Sequence, residues 1–151
     1  MPGAMRMAAM ALAAVVSFGA MSAQAQSVPR TYQKGPVTLV QQYQIAPGKL
    51  NVFMRDYTTN LRAGYEYGKK NGGILAYGVG TTIARRAGEP NLVVTITFKD
   101  LASYDRSYEA ADKAAIAVYG SLDKASEAAA KRAEYATQVG AILIQQMTPL
   151  N

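Results

Sequence analysis

The segment Leu92-Val-Val-Thr-Ile-Thr-Phe98 (LVVTITF) is the part of the sequence that decides the fold. Its residues are β-branched, aromatic or leucine, a composition that favours an extended strand. Successive side chains of a strand point to opposite faces, and here each face is apolar or carries threonine. A strand of this kind is typical of the interior of a sheet that is covered on both sides. We therefore predict a central strand, which the rest of the chain must flank and cover.

Three elements precede this strand. Val37–Ile45 (VTLVQQYQI) predicts a first strand that stops before Pro47. Residues 49–70 place apolar side chains three and four positions apart, which predicts a helix that ends at Asn71 and the two glycines after it. Residues 74–84 predict a further strand, and its two interior glycines favour the edge of the sheet.

Two helices and a strand come after it. Asp100 is a good N-cap for a helix that ends at Gly120, and Ser121 begins an alanine-rich helix that reaches about Ala136. Val139–Met147 alternates apolar and polar residues and predicts the last strand. The order β-α-β-β-α-(α)-β is that of a ferredoxin-like α+β fold, an antiparallel four-stranded sheet with helices on one face.

The face of the sheet opposite the helices is also apolar. Val40 in the first strand and Ile142 and Ile144 in the last strand all point to that side. A second copy of the same chain could cover this face with its own sheet, so that no further segment is needed. We therefore expect a homodimer formed by sheet-to-sheet packing.

The opening half of this domain resembles a known superfamily. Val37–Ile45, followed by Pro47-Gly48-Lys49-Leu50 and Phe53 and then by Gly72-Gly73-Ile74-Leu75, is similar to dimeric α+β-barrel proteins, including NIPSNAP-like and antibiotic-biosynthesis-monooxygenase-like members. The resemblance implies two facing sheets and a ligand cleft between each sheet and its own helices. Members range from haem-dependent enzymes and cofactor-free monooxygenases to proteins of unknown role. The extra helix at 121–136 departs from the pattern and is a candidate lid over such a cleft.

The N-terminus has the three parts of a secretory signal peptide. Arg6 supplies the positive charge, Ala8–Ala20 is an apolar run too short to span a bilayer, and Ala23-Gln24-Ala25 is a small-residue cleavage site. We predict cleavage after Ala25 and a periplasmic or secreted protein. Residues 1–25 are then the signal peptide, 26–36 a flexible lead-in and 37–151 the folded domain. The mature chain has no further stretch long and apolar enough to cross a membrane.

The composition excludes several kinds of chemistry. The chain contains neither histidine nor cysteine, so it has no disulfides, no catalytic Ser/His/Asp or Cys/His set, and none of the usual zinc or haem ligands. We therefore expect no metal, no haem and no other cofactor. Asp105, Glu109 and Asp112 share a helical stripe, but the neighbouring Arg106 and Lys113 indicate a solvated surface. The net charge of +6 comes from scattered basic residues, which does not indicate nucleic-acid binding.

Polar side chains on the helix-facing side of the sheet are the candidate ligand site, and we assign no catalytic residue. Gln41 interrupts the apolar row of the first strand, and such a residue needs a hydrogen-bond partner. It either bonds a neighbouring hydroxyl as part of the core or lines a cleft with some of the ten tyrosines. The candidate ligand-binding residues are Gln41, Tyr43, Tyr57, Tyr104 and Tyr108.

Three functions remain open at this point. The first is an exported dimer that binds a small, partly apolar ligand without metal or haem. The second is a cofactor-independent monooxygenase or isomerase acting on a phenolic or quinonoid compound, although tryptophan and histidine, which cofactor-free oxygenases of the superfamily often use, are absent. The third is a non-catalytic structural or interaction protein of the envelope. An empty cleft of a few hundred Å³ would favour the first two over the third.

Overall fold

The computed structural model describes residues 28–84 and 86–151. The predicted signal peptide, residues 1–25, lies outside the described residues. In chain order the elements are β1 (Tyr32–Ile45), α1 (Leu50–Asp56), a π-helical turn (Tyr57–Leu61), α2 (Arg62–Lys70), β2 (Ala76–Thr81), β3 (Leu92–Phe98), α3 (Leu101–Asp105), α4 (Ser107–Tyr119), α5 (Leu122–Ala133) and β4 (Ala136–Pro149).

The four strands form one antiparallel sheet in the order β2-β3-β1-β4, with the helices on one face. This is the predicted ferredoxin-like α+β fold. The strand β3 is central, with bounds as predicted, and β2 lies at an edge. Burial along β3 alternates, since Leu92, Val94, Ile96 and Phe98 are buried against the helices and the three residues between them are half-buried.

The register of β1 on β3 fixes which side chains face the helices. Val37 pairs with Phe98, Leu39 with Ile96 and Gln41 with Val94. Cross-strand partners lie on the same face of a sheet, so the polar Gln41 shares the helix-facing side with buried apolar residues of β3. The positions between them belong to the other face.

The core lies where the first helical segment crosses the sheet. Phe53 is fully buried and Tyr57 is 5% exposed, and both pack in one cluster with Leu92 and Val94. The rings of Phe53 and Tyr57 are stacked with centroids 6.3 Å apart. Burial of one such side chain contributes about 1.5–3 kcal/mol to stability. This cluster anchors α1 to the sheet.

The helix ends are set by the capping residues that the sequence predicts. The Asp100 carboxylate accepts a 2.7 Å hydrogen bond from the backbone N–H of Ser103 at the start of α3. Gly120 ends α4 with φ of 86°, a conformation that favours glycine. Ser121 Oγ then accepts a hydrogen bond of 3.2 Å from Lys124 N and begins α5. The predicted cap residues are therefore confirmed, but the helix predicted from Asp100 to Gly120 is interrupted at Arg106 and forms α3 and α4. The alanine-rich helix ends at Ala133 and not at Ala136, because Ala136 begins β4.

The predicted lead-in at 26–36 is wrong in its second half, because β1 begins at Tyr32 and not at Val37. Tyr32 pairs with Pro149 at the far end of β4, so these residues complete the ladder along an edge strand. A register shift between Lys34 and Val37 interrupts the alternation of side chains, and this irregularity hid the strand in the sequence.

The face opposite the helices is uncharged and open, and it combines apolar side chains with threonine and glutamine. We call it the open face, and its members are Thr38, Val40, Gln42, Val93, Thr95, Thr97, Ile142 and Ile144. Ile142 and Ile144 are 48% and 52% exposed. Within residues 28–84 and 86–151, no helix has the length and apolarity needed to cross a bilayer.

Candidate ligand cleft

A cleft of about 570 Å³ lies between the sheet and the helices. Its floor is formed by Leu39 and Gln41 of β1 and by Ile96 and Phe98 of β3. One wall comes from the π-helical turn, α2 and the loop after α2, and the other comes from α3 and α4. This volume is within the range of small-molecule sites.

The cleft exists because its two helical walls carry small residues. Gly64 and Gly68 of α2 line one wall, and the facing residues of α4 are Ala110, Ala111, Ala114, Ala115 and Val118. A fully packed core would place larger side chains at such positions. The same geometry explains why Tyr108, predicted on the buried side of its helix, is 70% exposed: it faces the open cleft.

One end of the cleft is polar and partly buried, and we call it the inner end. Gln41, Asn60, Tyr65 and Tyr119 line it. The Tyr43 hydroxyl donates a long hydrogen bond of 3.5 Å to Gln41 Oε1. Burial raises the pKa of the Tyr65 hydroxyl. Burial also raises the pKa of Tyr43, and this effect exceeds the lowering caused by the positive charge of Arg132. These phenols therefore remain protonated at neutral pH and act as neutral hydrogen-bonding groups.

An ion pair lies behind the inner end. Arg132 Nε is 2.5 Å from Asp56 Oδ2, and the two side chains are only 15% and 16% exposed. Asn60 Nδ2 donates to Asp56 Oδ1 at 2.7 Å, and Arg132 donates to the Tyr119 hydroxyl at 3.3 Å. Burial by itself raises the pKa of Asp56, but the hydrogen bonds from Arg132 and Asn60 outweigh it and lower that pKa. The pair thus positions two residues that line the cleft.

The π-helical turn places Asn60 at the cleft. Thr58 Oγ1 donates to the carbonyl oxygens of Met54 at 2.9 Å and Arg55 at 3.0 Å within this widened turn. A π turn adds one residue to a helical repeat and so rotates the next residues about the helix axis. As a result Tyr57 packs in the core while Asn60 and Leu61 line the cleft. Such turns occur frequently at functional sites.

The other end, which we call the mouth, is lined by Phe98, Ser103, Arg106, Ser107 and Tyr108. The ring of Tyr104 lies edge-on to Phe98 with centroids 5.5 Å apart, and it lies 6.4 Å from the ring of Tyr108. Arg106 is exposed and is the one charged side chain lining the cleft in the described part of the chain.

Of the five candidate ligand-binding residues, two line the cleft and three do not. Gln41 and Tyr108 line the cleft at opposite ends, and Tyr43 contacts Gln41 from behind. Tyr104 packs against Phe98 at the mouth without lining the cleft. Tyr57 lies in the core and borders a second depression of about 430 Å³ on the far side of α2, together with Arg62, Lys69 and Tyr77.

Sequence reasoning missed Asn60, Tyr65, Arg106 and Tyr119. Tyr65 carried a signal, because it belongs to the apolar spacing of residues 49–70, which indicates only a place in the core. Asn60 carried none, since only the π turn moves it to the cleft. In the described residues, no three acidic side chains gather in a group that could hold a metal ion.

The chain matches no protein-family model, and no curated protein is similar to it in sequence. Several solved structures are similar to it in shape. HapK from Hahella chejuensis has a TM-score of 0.49 and 12% identity over 73% of this chain and 91% of HapK. A dimeric ferredoxin-like protein from an uncultured marine organism has a TM-score of 0.47 and 11% identity over 79% and 99% of the two chains.

A third is a dimeric ferredoxin-like protein of unknown function from Thermobifida fusca, with a TM-score of 0.41 and 10% identity over 76% of this chain and 92% of its own. Likenesses this distant carry no ligand, activity or assembly over to this chain. The assignment of the ferredoxin-like fold rests on the element order and the sheet topology of the chain itself.

Proposed function

We propose that this protein is an exported homodimer that binds a small, partly apolar molecule in the cleft, without metal or haem. The observation that carries the proposal is the cleft of about 570 Å³, with an apolar floor and a few polar groups at its ends. Ligand sites have this composition, in which apolar surface gives affinity and few polar groups give orientation. A purely structural protein has no need of such a volume between its sheet and its helices.

The polar groups of the inner end favour binding over acid–base catalysis. A general base works best when its pKa lies near the working pH. Burial moves the pKa of Tyr43 and Tyr65 upward, away from neutrality, and the Asp56 carboxylate is engaged by Arg132 and Asn60. These groups suit the recognition of a hydroxyl, carbonyl or amide on a ligand.

The proposed dimer rests on the open face. Its members are apolar, threonine or glutamine, so two copies can meet without placing like charges opposite each other. That matters for a chain with a net charge of +6. A twofold contact uses the same patch on both subunits, and no member of this patch is charged. Light scattering should therefore give twice the mass of one chain.

Export rests on Arg6, the apolar run Ala8–Ala20 and the cleavage site that ends at Ala25. Expression of the full chain in a Gram-negative host should yield a periplasmic product that begins at Gln26. Intact Met1 on a cytosolic product would contradict this part of the proposal.

To test ligand binding, the protein is purified without denaturation from the host in which it is expressed, so that a bound molecule stays in place. Denaturation of the wild-type protein should release a bound apolar compound, which mass spectrometry then detects. The matched control is Gly64→Leu, which fills the cleft. An added Cβ at Gly64 meets no atom within 4 Å, and Gly64 lines the cleft, so a leucine side chain there should occupy cleft space. Equal amounts of the compound in both proteins would overturn the proposal.

A further inference from the structure

We propose that the ligand is an amphipathic anion, with its negative group at the mouth near Arg106 and a neutral hydrogen-bonding group at the inner end. This inference rests on the ligand-binding function proposed for the cleft. It adds the charge and the orientation of the molecule.

The first step is the length of the cleft. Gln41 pairs with Val94 at the inner end, and Phe98 lies four residues further along the same strand at the mouth. Four residues of an antiparallel strand span about 13 Å. The floor between these ends is Leu39 and Ile96, and the wall above it is alanine and valine of α4. A ligand that reaches both polar ends therefore has an apolar body between two polar groups.

The second step is the charge at the mouth. Of the described residues that line the cleft, none is acidic and Arg106 alone is basic. The ion pairs of the described residues join Arg132 to Asp56 and Arg86 to Glu89, so Arg106 belongs to neither. The nearby Asp100 carboxylate accepts two hydrogen bonds of 2.7 Å from the N–H and the hydroxyl of Ser103. These hydrogen bonds lower the pKa of Asp100, and the positive charge of Arg106 lowers it further without an ion-pair contact between the two side chains. The N–H groups of Arg106 are thus available to an anionic group that enters the cleft.

The third step is the neutrality of the inner end. The positive charge of Arg132 is balanced by Asp56 at 2.5 Å, behind the cleft wall. The groups that remain accessible there are the amides of Gln41 and Asn60 and the hydroxyls of Tyr65 and Tyr119. Placing an uncompensated charge among these half-buried neutral groups would cost free energy of desolvation. An anion is therefore directed to the mouth and a neutral polar group to the inner end.

Two dyes of nearly the same shape test the inference. Anilinonaphthalene sulfonate is an apolar anion, and N-phenylnaphthylamine is its uncharged analogue. Each is titrated into the purified protein and followed by fluorescence. We expect Arg106→Gln to weaken binding of the sulfonate about three- to fivefold, the effect of one solvent-exposed charge pair, and to leave binding of the neutral dye unchanged.

Two control variants make the result specific. Arg55→Gln removes the same charge from an exposed position outside the cleft, so it should change neither affinity. Gly64→Leu should weaken both dyes, because it occupies the cleft. Raising the salt concentration should weaken the sulfonate in wild type and have less effect in Arg106→Gln, since exposed charges are screened by salt.

The outcomes separate the two proposals. Suppose that Gly64→Leu weakens the binding of both dyes but Arg106→Gln leaves the binding of the sulfonate unchanged. The cleft then binds ligands, and the inference that its ligand is an anion is overturned. The same conclusion holds if Arg106→Gln and Arg55→Gln weaken the sulfonate equally. If neither dye binds, or if Gly64→Leu affects neither, ligand binding in the cleft fails and the inference fails with it.

Discussion

Arg132 Nε lies 2.5 Å from Asp56 Oδ2, and this contact ties the last turn of α5 to α1 behind the inner end of the cleft. Asp56 also accepts a hydrogen bond from Asn60, and Arg132 also donates one to Tyr119. Both Asn60 and Tyr119 line the cleft. The helix α5 therefore supports the wall of the cleft through this contact. Arg132 is a positioning residue, because it acts on the cleft through Asp56 and Tyr119.

Removal of the arginine should destabilise the fold. In Arg132→Met the Asp56 carboxylate, 16% exposed, loses its charged partner, which should lower the free energy of unfolding by about 1–3 kcal/mol. The control is Lys131→Met, since Lys131 is exposed and has no ion pair among the described residues. Urea unfolding measures both variants. If they are equally stable, the ion pair makes no net contribution.

The ion pair should also give the protein a specific sensitivity to acid. Burial raises the pKa of Asp56, but hydrogen bonds from Arg132 and Asn60 outweigh it, so the folded pKa lies below the usual value of about 4. A lowered folded pKa contributes stability that is present above the unfolded pKa and is lost as the pH falls through the folded one. The stability advantage of wild type over Asp56→Asn should therefore stay constant from about pH 7 to about pH 5 and shrink below that, as the pH falls through the folded pKa.

The control for this pH experiment is Asp105→Asn, which removes an exposed carboxylate without an ion pair among the described residues. The change of its stability difference with pH is the baseline for Asp56→Asn. If the Asp56→Asn difference changes with pH no more than this baseline, the acid sensitivity arises elsewhere in the chain.

The fold was largely predictable because its signals are local. The alternation in Leu92–Phe98, the helical spacing in residues 49–70 and the caps Asp100 and Ser121 each act within a few residues. The start of β1 at Tyr32 was not predictable, because those residues are held by pairing with the end of β4, more than a hundred positions away. A ladder between distant segments leaves little trace in either segment alone.

The site was predictable only in part. Gln41 could be found because a polar residue in an apolar row stands out, and the structure places it in the cleft. Tyr57 and Asn60 could not be assigned, because a π turn between them changes the helical period from the one that sequence spacing assumes. Arg106 belongs by sequence to a solvated face, and only the tertiary packing shows that it lies at the mouth.

Two glycines of α2 should respond differently to alanine. An added Cβ at Gly64 meets no atom within 4 Å, so Gly64→Ala should raise stability by about 0.5–1 kcal/mol through helix propensity. A Cβ at Gly68 would lie 2.6 Å from Ile74 Cδ1 and 3.1 Å from its Cγ1, so Ile74 must move. We expect Gly68→Ala to lose that gain and to be less stable than Gly64→Ala. Thermal melts that rank the two variants in the reverse order would contradict this packing.

A charge on the open face should disrupt the proposed dimer. Thr95 lies at the middle of the central strand on that face, paired with Val40 and Gly78. Thr95→Lys would bury an unpaired ammonium group between the two sheets, at a cost of several kcal/mol. Light scattering should then show monomer or aggregate, while Thr59→Lys, an exposed position on the helical layer, should remain dimeric. A dimeric Thr95→Lys protein of unchanged stability would mean that the open face contacts solvent.

The last prediction concerns the hydroxyl and amide groups of the inner end. Gln41→Leu keeps a similar volume but removes an amide that lines the cleft, and Tyr43→Phe removes the hydroxyl that contacts it. If these groups orient a ligand, each change should weaken binding of N-phenylnaphthylamine, whose amine can hydrogen-bond, by up to about 1–3 kcal/mol. Gln41→Leu should have the larger effect, because Tyr43 acts through a hydrogen bond of 3.5 Å.

Tyr57→Phe is the matched control, since it removes a tyrosine hydroxyl from the core and not from the cleft. Its ligand-induced shift in melting temperature should equal that of wild type, whereas the shifts of Gln41→Leu and Tyr43→Phe should be smaller. Circular dichroism on all three proteins separates binding from folding, because a replacement of similar size should leave the sheet intact. Equal shifts in wild type and the three variants would mean that Gln41 and Tyr43 serve only the packing of the core.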